Sequence, residues 1–196
     1  MGAEDPVQWT LTFEPKSAPP GAHVLAKFAA KIEPGWHLYS LTTPKGGPIP
    51  TTSGLADSPV VSGHKLYQPK PERKLDPNFQ IDTETFANEV VLLYDVDLKK
   101  DAAAGPAEIT AQVRYQCCND RLCLPPKRKS ASATITIDPS ATAQAITIPP
   151  GYTDVQLGLA AATATSPTPV APASQSSGFG LFLLTAFGAG LAAPLA

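Results

Sequence analysis

The fold is decided by the stretch Tyr115-Gln116-Cys117-Cys118-Asn119-Asp120-Arg121-Leu122-Cys123-Leu124-Pro125-Pro126, which holds all three cysteines of the 196-residue sequence. Before the cysteines, apolar and polar side chains alternate from residue 109 onward, which is the pattern of a half-buried β-strand. Neighbouring side chains of a strand point to opposite faces. We therefore expect Cys117 to continue the apolar face into the core and Cys118 to continue the polar face.

This arrangement predicts a bridge between Cys118 and Cys123 across the turn Asn-Asp-Arg-Leu. Such a reversal can bring two Cα atoms within about 7 Å, which adjacent residues in an extended strand do not easily allow. A closed loop of about six residues stabilises a fold by only about 2 kcal/mol, so a redox role explains the bridge better than a structural one. Pro125 and Pro126 donate no N–H group and favour a sheet edge or loop that a partner can reach.

The rest of the sequence predicts an all-β domain, an immunoglobulin-like β-sandwich. Short alternating or β-branched segments are separated by turn signals such as Pro19-Pro20-Gly21, and about seven of them are typical of two packed sheets. The predicted strands cover residues 7–13, 23–32, 36–41, a segment through 60–66, 88–98, 107–117 and 130–137. We interpret residues 69–77, which are charged and rich in proline, as a long loop.

Composition excludes several classes of protein. With 43% hydrophobic residues the chain can bury one sizeable core but hardly two. The formal net charge is -2 and no basic run is longer than Lys127-Arg128-Lys129, which argues against nucleic acid as a partner. The first five residues are acidic and lack an apolar segment, so we interpret them as a mature start with an initiator methionine.

The sequence predicts a chain of three segments. We assign residues 1–140 to the β-domain and residues 141–177 to an extension with an Ala/Thr/Ser/Pro-rich linker. Residues 178–196 carry no charge and, at about 1.5 Å per residue, nearly span a bilayer core. We interpret this last segment as the start of a transmembrane helix that tethers the domain to a membrane.

Several motifs resemble the amino-terminal periplasmic domain of the thiol:disulfide interchange protein DsbD family. They are Tyr115-Gln116, the cysteine pair with its short acidic turn, Pro125-Pro126, Pro34-Gly35-Trp36-His37-Leu38-Tyr39, Gly46-Gly47-Pro48-Ile49-Pro50 and Asp76-Pro77-Asn78-Phe79. The resemblance spans most of residues 7–138. It implies a periplasmic domain anchored to the bacterial inner membrane, at the front of a longer polypeptide.

The resemblance also implies an activity, that of a protein-disulfide reductase without a cofactor. Its redox pair, Cys118 and Cys123, is expected to pass reducing equivalents from a membrane transporter to thioredoxin-fold partners. These partners are the family's own carboxy-terminal domain, disulfide isomerases and the thioredoxin of cytochrome c maturation. Cys123 is expected to bond to the partner and Cys118 to resolve the mixed disulfide. Cys117 replaces a small residue of the family, so a bridge from Cys117 to Cys123 stays open as an alternative.

Further residues are candidate neighbours of the pair: His37, Tyr39, Asp76, Asn78, Phe79 and Tyr115. His37 and Tyr39 share one face of a strand, where the family carries aromatic hydroxyls, so Tyr39 agrees with the family and His37 departs from it. Phe79 corresponds to the aromatic residue of a cap loop that shields the cysteines. Ordinary packing is the alternative for the first two residues, and a loop anchor is the alternative for Phe79.

The cysteines have two alternative interpretations. The first is a membrane-tethered immunoglobulin-like binding or structural module whose disulfide is inert, with a reduction potential below about -300 mV. The second is a zinc site, but the cysteines lack C-x2-C spacing and a further ligand would have to come from distant His37 or His64. We therefore expect no metal.

Overall fold

The computed structural model describes residues 5–156, and within them the chain forms thirteen β-strands in three sheets. In chain order they are β1 (Val7–Glu14), β2 (Ser17–Ala18), β3 (His23–Ile32), β4 (His37–Tyr39), β5 (Thr52–Leu55), β6 (Val61–Pro69), β7 (Glu72–Leu75), β8 (Asp82–Ala87), β9 (Glu89–Leu98), β10 (Gly105–Tyr115), β11 (Cys117–Cys118), β12 (Lys127–Ile137) and β13 (Tyr152–Asp154). The predicted strands at residues 7–13, 23–32 and 88–98 agree with β1, β3 and β9 to within one residue at each end.

Two of the sheets form the predicted immunoglobulin-like sandwich. The first sheet has the order β1-β3-β9-β6-β13 and the second has the order β2-β12-β10-β5. Their inward side chains belong to one hydrophobic core, in which Val24, Phe28, Ile109 and Ile135 are fully buried. Every second residue of β1, β3, β9 and β10 is apolar, and burial of each large side chain contributes roughly 1.5–3 kcal/mol. The sandwich is therefore the frame that carries the cysteine hairpin.

The third sheet, with the order β11-β4-β8-β7, was not predicted. The strand predicted over residues 107–117 is wrong as a single strand, because β10 ends at Tyr115 and β11 pairs with β4 instead. Gln116 lies at this change of sheet, and its side-chain Oε1 accepts a hydrogen bond of 2.9 Å from the N–H of Ile49. The alternation itself continues, since Tyr115 and Cys117 both lie in the core.

The predicted loop over residues 69–77 is also wrong in part, because Glu72–Leu75 forms β7. This strand pairs antiparallel with β8, from Glu72 opposite Thr85 to Leu75 opposite Asp82. All four residues of β7 are exposed. An edge strand that is charged and open to solvent shows no alternation, and prolines on both sides give it the appearance of a loop.

A tight turn between β3 and β4 directs the chain into the third sheet. The N–H of Trp36 donates to the carbonyl of Glu33 at 3.1 Å, and Gly35 has a φ of +83°. Glycine adopts this left-handed conformation without the steric cost that a Cβ would bring. The turn places His37–Tyr39 between β8 and β11, beside the cysteines.

β13 pairs with β6 at the edge of the first sheet, within the stretch predicted as an extension of the domain. The predicted linker lies partly outside the described residues, and the predicted transmembrane segment at residues 178–196 lies entirely outside them. Between residues 5 and 156, no helix has the length and apolar character required to cross a bilayer.

Candidate functional site

The pairing of β11 with β4 gives the third sheet two different faces. Cys117 lies opposite Leu38, and Cys118 lies opposite His37. Residues opposite one another on antiparallel strands share a face, so Cys117 and Leu38 face the hydrophobic core, in which both are buried. Cys118, His37 and Tyr39 share the other face, which we call the polar face of the third sheet.

The second cysteine of this face closes a short hairpin. A disulfide joins Cys118 to Cys123, five positions later in the sequence. Within the hairpin, Asn119 donates its N–H to the carbonyl of Leu122, and its Oδ1 accepts from the N–H groups of Arg121 and Leu122, each bond being 2.9 Å long. An asparagine that binds the backbone two and three residues ahead stabilises a turn. The pair joined here is the one that alternation predicts.

The two bridged residues differ in exposure. Cys118 is completely buried, whereas Cys123 is half-buried. Leu124 donates its N–H to the carbonyl of Cys117 at 2.9 Å, which fixes the chain that leaves the hairpin. A molecule approaching from solvent therefore meets Cys123 before Cys118.

Cys117 is the free cysteine, and it belongs to the core. Its burial raises the pKa of the thiol to about 12, helped by Asp5 and opposed by Lys127. Since only a thiolate is a good nucleophile or metal ligand, this residue is chemically quiet near neutral pH. The alternative bridge from Cys117 to Cys123 is not the one that the structure contains.

A hydrogen-bonded cluster covers the polar face beside Cys118. The hydroxyl of Tyr39 donates to Oδ2 of Asp76 at 2.7 Å, and Nε2 of His37 lies 3.3 Å from the same hydroxyl. Nε2 of His37 is 3.9 Å from the Asp76 carboxylate. All three residues are buried. Buried polar groups of this kind need partners, and here each of the three supplies one to another.

Asp76 also shapes the turn that joins β7 to β8, which we call the cap turn (residues 76–81). Its Oδ1 accepts from the N–H groups of Asn78 at 2.8 Å and of Phe79 at 3.2 Å. Its own N–H donates to the carbonyl of Ile81 at 2.8 Å. One carboxylate therefore holds the cap turn in shape with one oxygen and fastens it to Tyr39 with the other.

The cap turn contacts the cysteine hairpin through Asn78 and the strand β4 through Phe79. Nδ2 of Asn78 donates to the carbonyl of Asn119 at 2.9 Å, next to Cys118. The ring of Phe79 meets the ring of Tyr39 edge-on, with 6.2 Å between centroids. Phe79 is half-buried, and a Cβ built on Gly47 would lie 3.6 Å from it and 2.5 Å from Ile81. A side chain at Gly47 would therefore displace the end of the Ile81 side chain, which packs closely against the loop.

Burial sets the charge state of the titratable side chains on the polar face. It lowers the pKa of His37 below the ordinary value of 6.5; Asp76 and Asp120 oppose this shift, and Lys74 reinforces it. Burial also raises the pKa of Tyr39, and the hydrogen bond to Asp76 adds to the increase. Both groups are consequently neutral near pH 7.

Tyr115 is the one predicted neighbour that the structure puts elsewhere. It lies on the core face with Cys117, its hydroxyl donates to Oδ2 of Asp5 at 2.7 Å, and its ring is 5.7 Å from that of Trp9. Sequence reasoning missed Asn119, which both forms the hairpin turn and accepts the bond from Asn78. The signal was present, because an asparagine at the start of a four-residue reversal is typical of such a turn.

Among the described residues, a separate group has the spacing of metal ligands: His23, Asp95 and Asp97. Nδ1 of His23 lies 3.0 Å from Asp95 and 2.9 Å from Asp97 on the neighbouring strand. The hydrogen bond to Asp95 is the main cause that raises the pKa of His23 above 6.5. An exposed ion pair across two strands explains this group without a bound ion.

These features define a class: an immunoglobulin-like domain that carries a disulfide in a short hairpin beneath a cap turn. The family model described as "Thiol:disulfide interchange protein DsbD, N-terminal" matches residues 4–135. The chain therefore belongs to this family. No curated protein matches the sequence significantly.

Three solved structures are similar to the chain. The N-terminal periplasmic domain of ScsB from Proteus mirabilis is 17% identical, with a TM-score of 0.48 over 86% of this chain and 57% of that one. The reduced DsbD N-terminal domain of Neisseria meningitidis is 16% identical, with a TM-score of 0.38 over 65% and 86%. A family 123 glycoside hydrolase from Clostridium perfringens is 8% identical, with a TM-score of 0.35 over 68% and 28%. The chain thus spans 57% of the length of the ScsB domain.

Proposed function

We propose that this domain is a periplasmic electron-relay module whose Cys118–Cys123 pair exchanges disulfides with thioredoxin-fold proteins. Membership of the DsbD N-terminal family supports the class of reaction. The observation that carries the proposal is the hairpin disulfide itself, in which one residue is completely buried and the other is half-buried. A redox pair needs one accessible sulfur for the partner and one protected sulfur to complete the exchange.

The size of the closed loop favours exchange over a structural role. The two cysteines are five positions apart, and so short a loop restrains the unfolded chain by only about 2 kcal/mol. The sandwich has a full hydrophobic core of its own and has little need of such a bridge. An inert disulfide in a binding module, the competing function, would leave the surrounding polar cluster without a purpose.

The exchange proceeds in two displacements. The Cys123 thiolate of the reduced domain attacks the disulfide of an oxidised partner, which forms a mixed disulfide and releases one partner thiolate. The Cys118 thiolate then attacks Sγ of Cys123, and the second partner thiolate leaves. Two electrons pass to the partner, which becomes a dithiol, while the domain becomes the Cys118–Cys123 disulfide. Reduction of the domain by an upstream dithiol follows the same steps in reverse.

The cap turn acts as a cover in this proposal. Asn78 reaches the hairpin through an exposed bond to the carbonyl of Asn119, which a docking partner can displace, and Phe79 packs on Tyr39 beside it. Covering a dithiol keeps small oxidants away until a partner arrives. Asp76 fixes the base of the cover, since it is buried and bonded to Tyr39.

The wider setting is part of the same proposal. We assign residues 1–140 to the exchange domain, residues 141–177 to an extension that includes β13 followed by a linker, and residues 178–196 to the start of a transmembrane helix in the bacterial inner membrane. Electrons would come from a membrane transporter in the same polypeptide. They would pass to thioredoxin-fold partners such as its carboxy-terminal domain, disulfide isomerases or a cytochrome c maturation thioredoxin. The ScsB relative is described as a periplasmic domain, which supports the compartment.

A trapping experiment tests the roles of the two cysteines. In a Cys117→Ala background, reduced Cys118→Ser and Cys123→Ser variants are offered an oxidised thioredoxin-fold protein, and covalent complexes are counted on a non-reducing gel. Cys118→Ser should accumulate a complex because nothing resolves it, and Cys123→Ser should not. Trapping by Cys123→Ser alone would reverse the assignment of the two sulfurs. If neither variant traps a partner while the parent is folded, the relay function is wrong and the disulfide is inert.

A further inference from the structure

His37 is aligned with the protected sulfur of the pair. It lies directly opposite Cys118 in the antiparallel ladder between β4 and β11. Side chains in this relation share a face, with Cβ atoms about 5 Å apart. Ala87 flanks His37 on its other side and carries no polar group. Cys118 is therefore the reactive residue within reach of the imidazole across the ladder.

The hydrogen-bond network fixes which imidazole nitrogen carries the proton. The hydroxyl of Tyr39 has one hydrogen, and it donates this hydrogen to Asp76 at 2.7 Å. Toward His37, 3.3 Å away, the same oxygen can only accept, so Nε2 of the neutral imidazole must be the donor. Nδ1 is then unprotonated. This nitrogen is the one nearer the backbone, on the strand that pairs with β11.

We propose that Nδ1 of His37 is the proton acceptor that activates Cys118 when it resolves the mixed disulfide. This inference rests on the exchange function proposed above and names the group that moves its proton. In the resolving step, the proton of the Cys118 thiol passes to Nδ1 and the sulfur attacks Sγ of Cys123. The Cys123–partner bond breaks, and the partner leaves as a thiolate. In the reverse step, the imidazolium returns the proton to the Cys118 sulfur as it is displaced.

The charges around His37 suit this role. Tyr39 and Asp76 face it at Nε2, Asp120 lies in the hairpin, and Lys74 approaches from β7. Burial outweighs these groups and lowers the pKa of His37, so the imidazole is neutral near pH 7 and becomes charged only as the pH falls through that lowered value. The imidazolium formed during the step is stabilised by Asp76, 3.9 Å from Nε2. His37 is thus a neutral base before the step, and Asp76 stabilises the imidazolium that forms during it.

The variant His37→Gln separates this role from packing. The amide nitrogen of glutamine can take the place of Nε2 and donate to Tyr39, whereas no group of glutamine replaces Nδ1 as a base. His64→Gln is the matched control, because burial also lowers the pKa of His64 but its ring lies against Tyr94 in the first sheet. Both variants are made in the Cys117→Ala background.

The measurement is the rate of resolution as a function of pH. Reduced protein is mixed with 5,5′-dithiobis(2-nitrobenzoate), at concentrations where capture by Cys123 is fast, and the second equivalent of coloured thiolate reports the attack of Cys118. At about pH 7 an ordinary thiol is only about 3% thiolate, so His37→Gln should resolve about 30-fold more slowly than the parent. At a pH high enough for the buried thiol to ionise without a base, the two rates should converge.

Each outcome decides the inference. A slow His37→Gln rate near neutral pH that recovers in alkali, with an unchanged His64→Gln rate, supports it. Equal rates of parent and His37→Gln at all pH values overturn it, and so does a defect of constant size, which would indicate a structural role. If the parent releases a second equivalent but traps no protein partner through Cys118→Ser, the proposed function fails while the proton transfer stands.

Discussion

The two faces of the third sheet differ in chemistry although they are built from neighbouring residues. Cys117 and Leu38 lie in the hydrophobic core, where burial is the main cause that raises the pKa of the thiol to about 12. Cys118 and His37, one position away on each strand, lie under a hydrogen-bonded cover. Both cysteines are almost completely buried, so exposure does not distinguish them.

What distinguishes the two cysteines is the kind of burial. Burial in the core penalises the Cys117 thiolate by more than Lys127 stabilises it, so little thiolate forms near neutral pH. The polar face offers a base, a carboxylate and a hydroxyl around Cys118, so charge can form and move there. By alternation alone, a short β-strand thus places a thiol of the core next to a cysteine of the proposed redox pair.

The sharpest test of this contrast is the alkylation of Cys117 in the reduced, folded domain. Because burial raises its pKa to about 12, its thiolate fraction at about pH 8 should be about a thousandfold below that of an ordinary thiol. Iodoacetamide followed by peptide mapping should label Cys123 quickly and leave Cys117 unlabelled until the domain is unfolded. Labelling of Cys117 at the rate of Cys123 would mean that the two faces do not differ.

The next largest effect is expected from the core face. Leu38→Ala removes a fully buried side chain beside Cys117 and should lower the free energy of unfolding by about 3 kcal/mol. Leu75→Ala is the matched control, since Leu75 is 61% exposed on β7 and should change stability by less than about 0.5 kcal/mol. Urea unfolding of both variants measures the difference. Similar losses for the two leucines would contradict the assignment of the core face.

Much of this arrangement is readable from sequence. The period-two pattern gives β1, β3 and β9 nearly to the residue, because half-buried strands alternate. The same pattern gives the partner of Cys118 and the shared face of His37 and Tyr39. A motif resemblance adds Asp76 and Phe79, whose partners no local pattern could reveal.

The rest depends on contacts between distant parts of the chain. Nothing local indicates that β11 joins β4 rather than prolonging β10, since alternation is the same in either sheet. The polar face of Cys118 is expected to meet solvent, and only the cap turn, about 40 residues earlier, covers it. β7 is not predicted from the sequence, because its exposed, charged residues show no alternation of apolar and polar side chains.

On the polar face, Tyr39→Phe should lower the free energy of unfolding by about 2 kcal/mol. It deprives the buried Asp76 carboxylate of a donor and the Nε2 group of His37 of an acceptor. Tyr94→Phe is the matched control, because Tyr94 is equally buried but its hydroxyl bonds to the neutral Ser53, so about 1 kcal/mol is expected. Urea unfolding tests both. A smaller loss for Tyr39→Phe than for Tyr94→Phe would mean that the cluster on the polar face adds no stability.

The smallest effect is expected where the cap turn meets solvent. Phe79→Ala removes a half-buried ring that touches Tyr39 but leaves the hydrogen bonds of Asp76. The free energy of unfolding should therefore change by no more than about 1 kcal/mol. Alkylation of reduced Cys123 by a bulky maleimide should nevertheless become severalfold faster, because the ring no longer stands over the hairpin. Leu75→Ala is again the control, as an apolar residue of the same β-hairpin that is turned to solvent.

Faster alkylation in Phe79→Ala alone identifies the ring as a cover of the polar face. An unchanged rate together with a clear loss of stability would instead make Phe79 an anchor of the cap turn, and Cys118 would owe its protection to burial in the sheet alone.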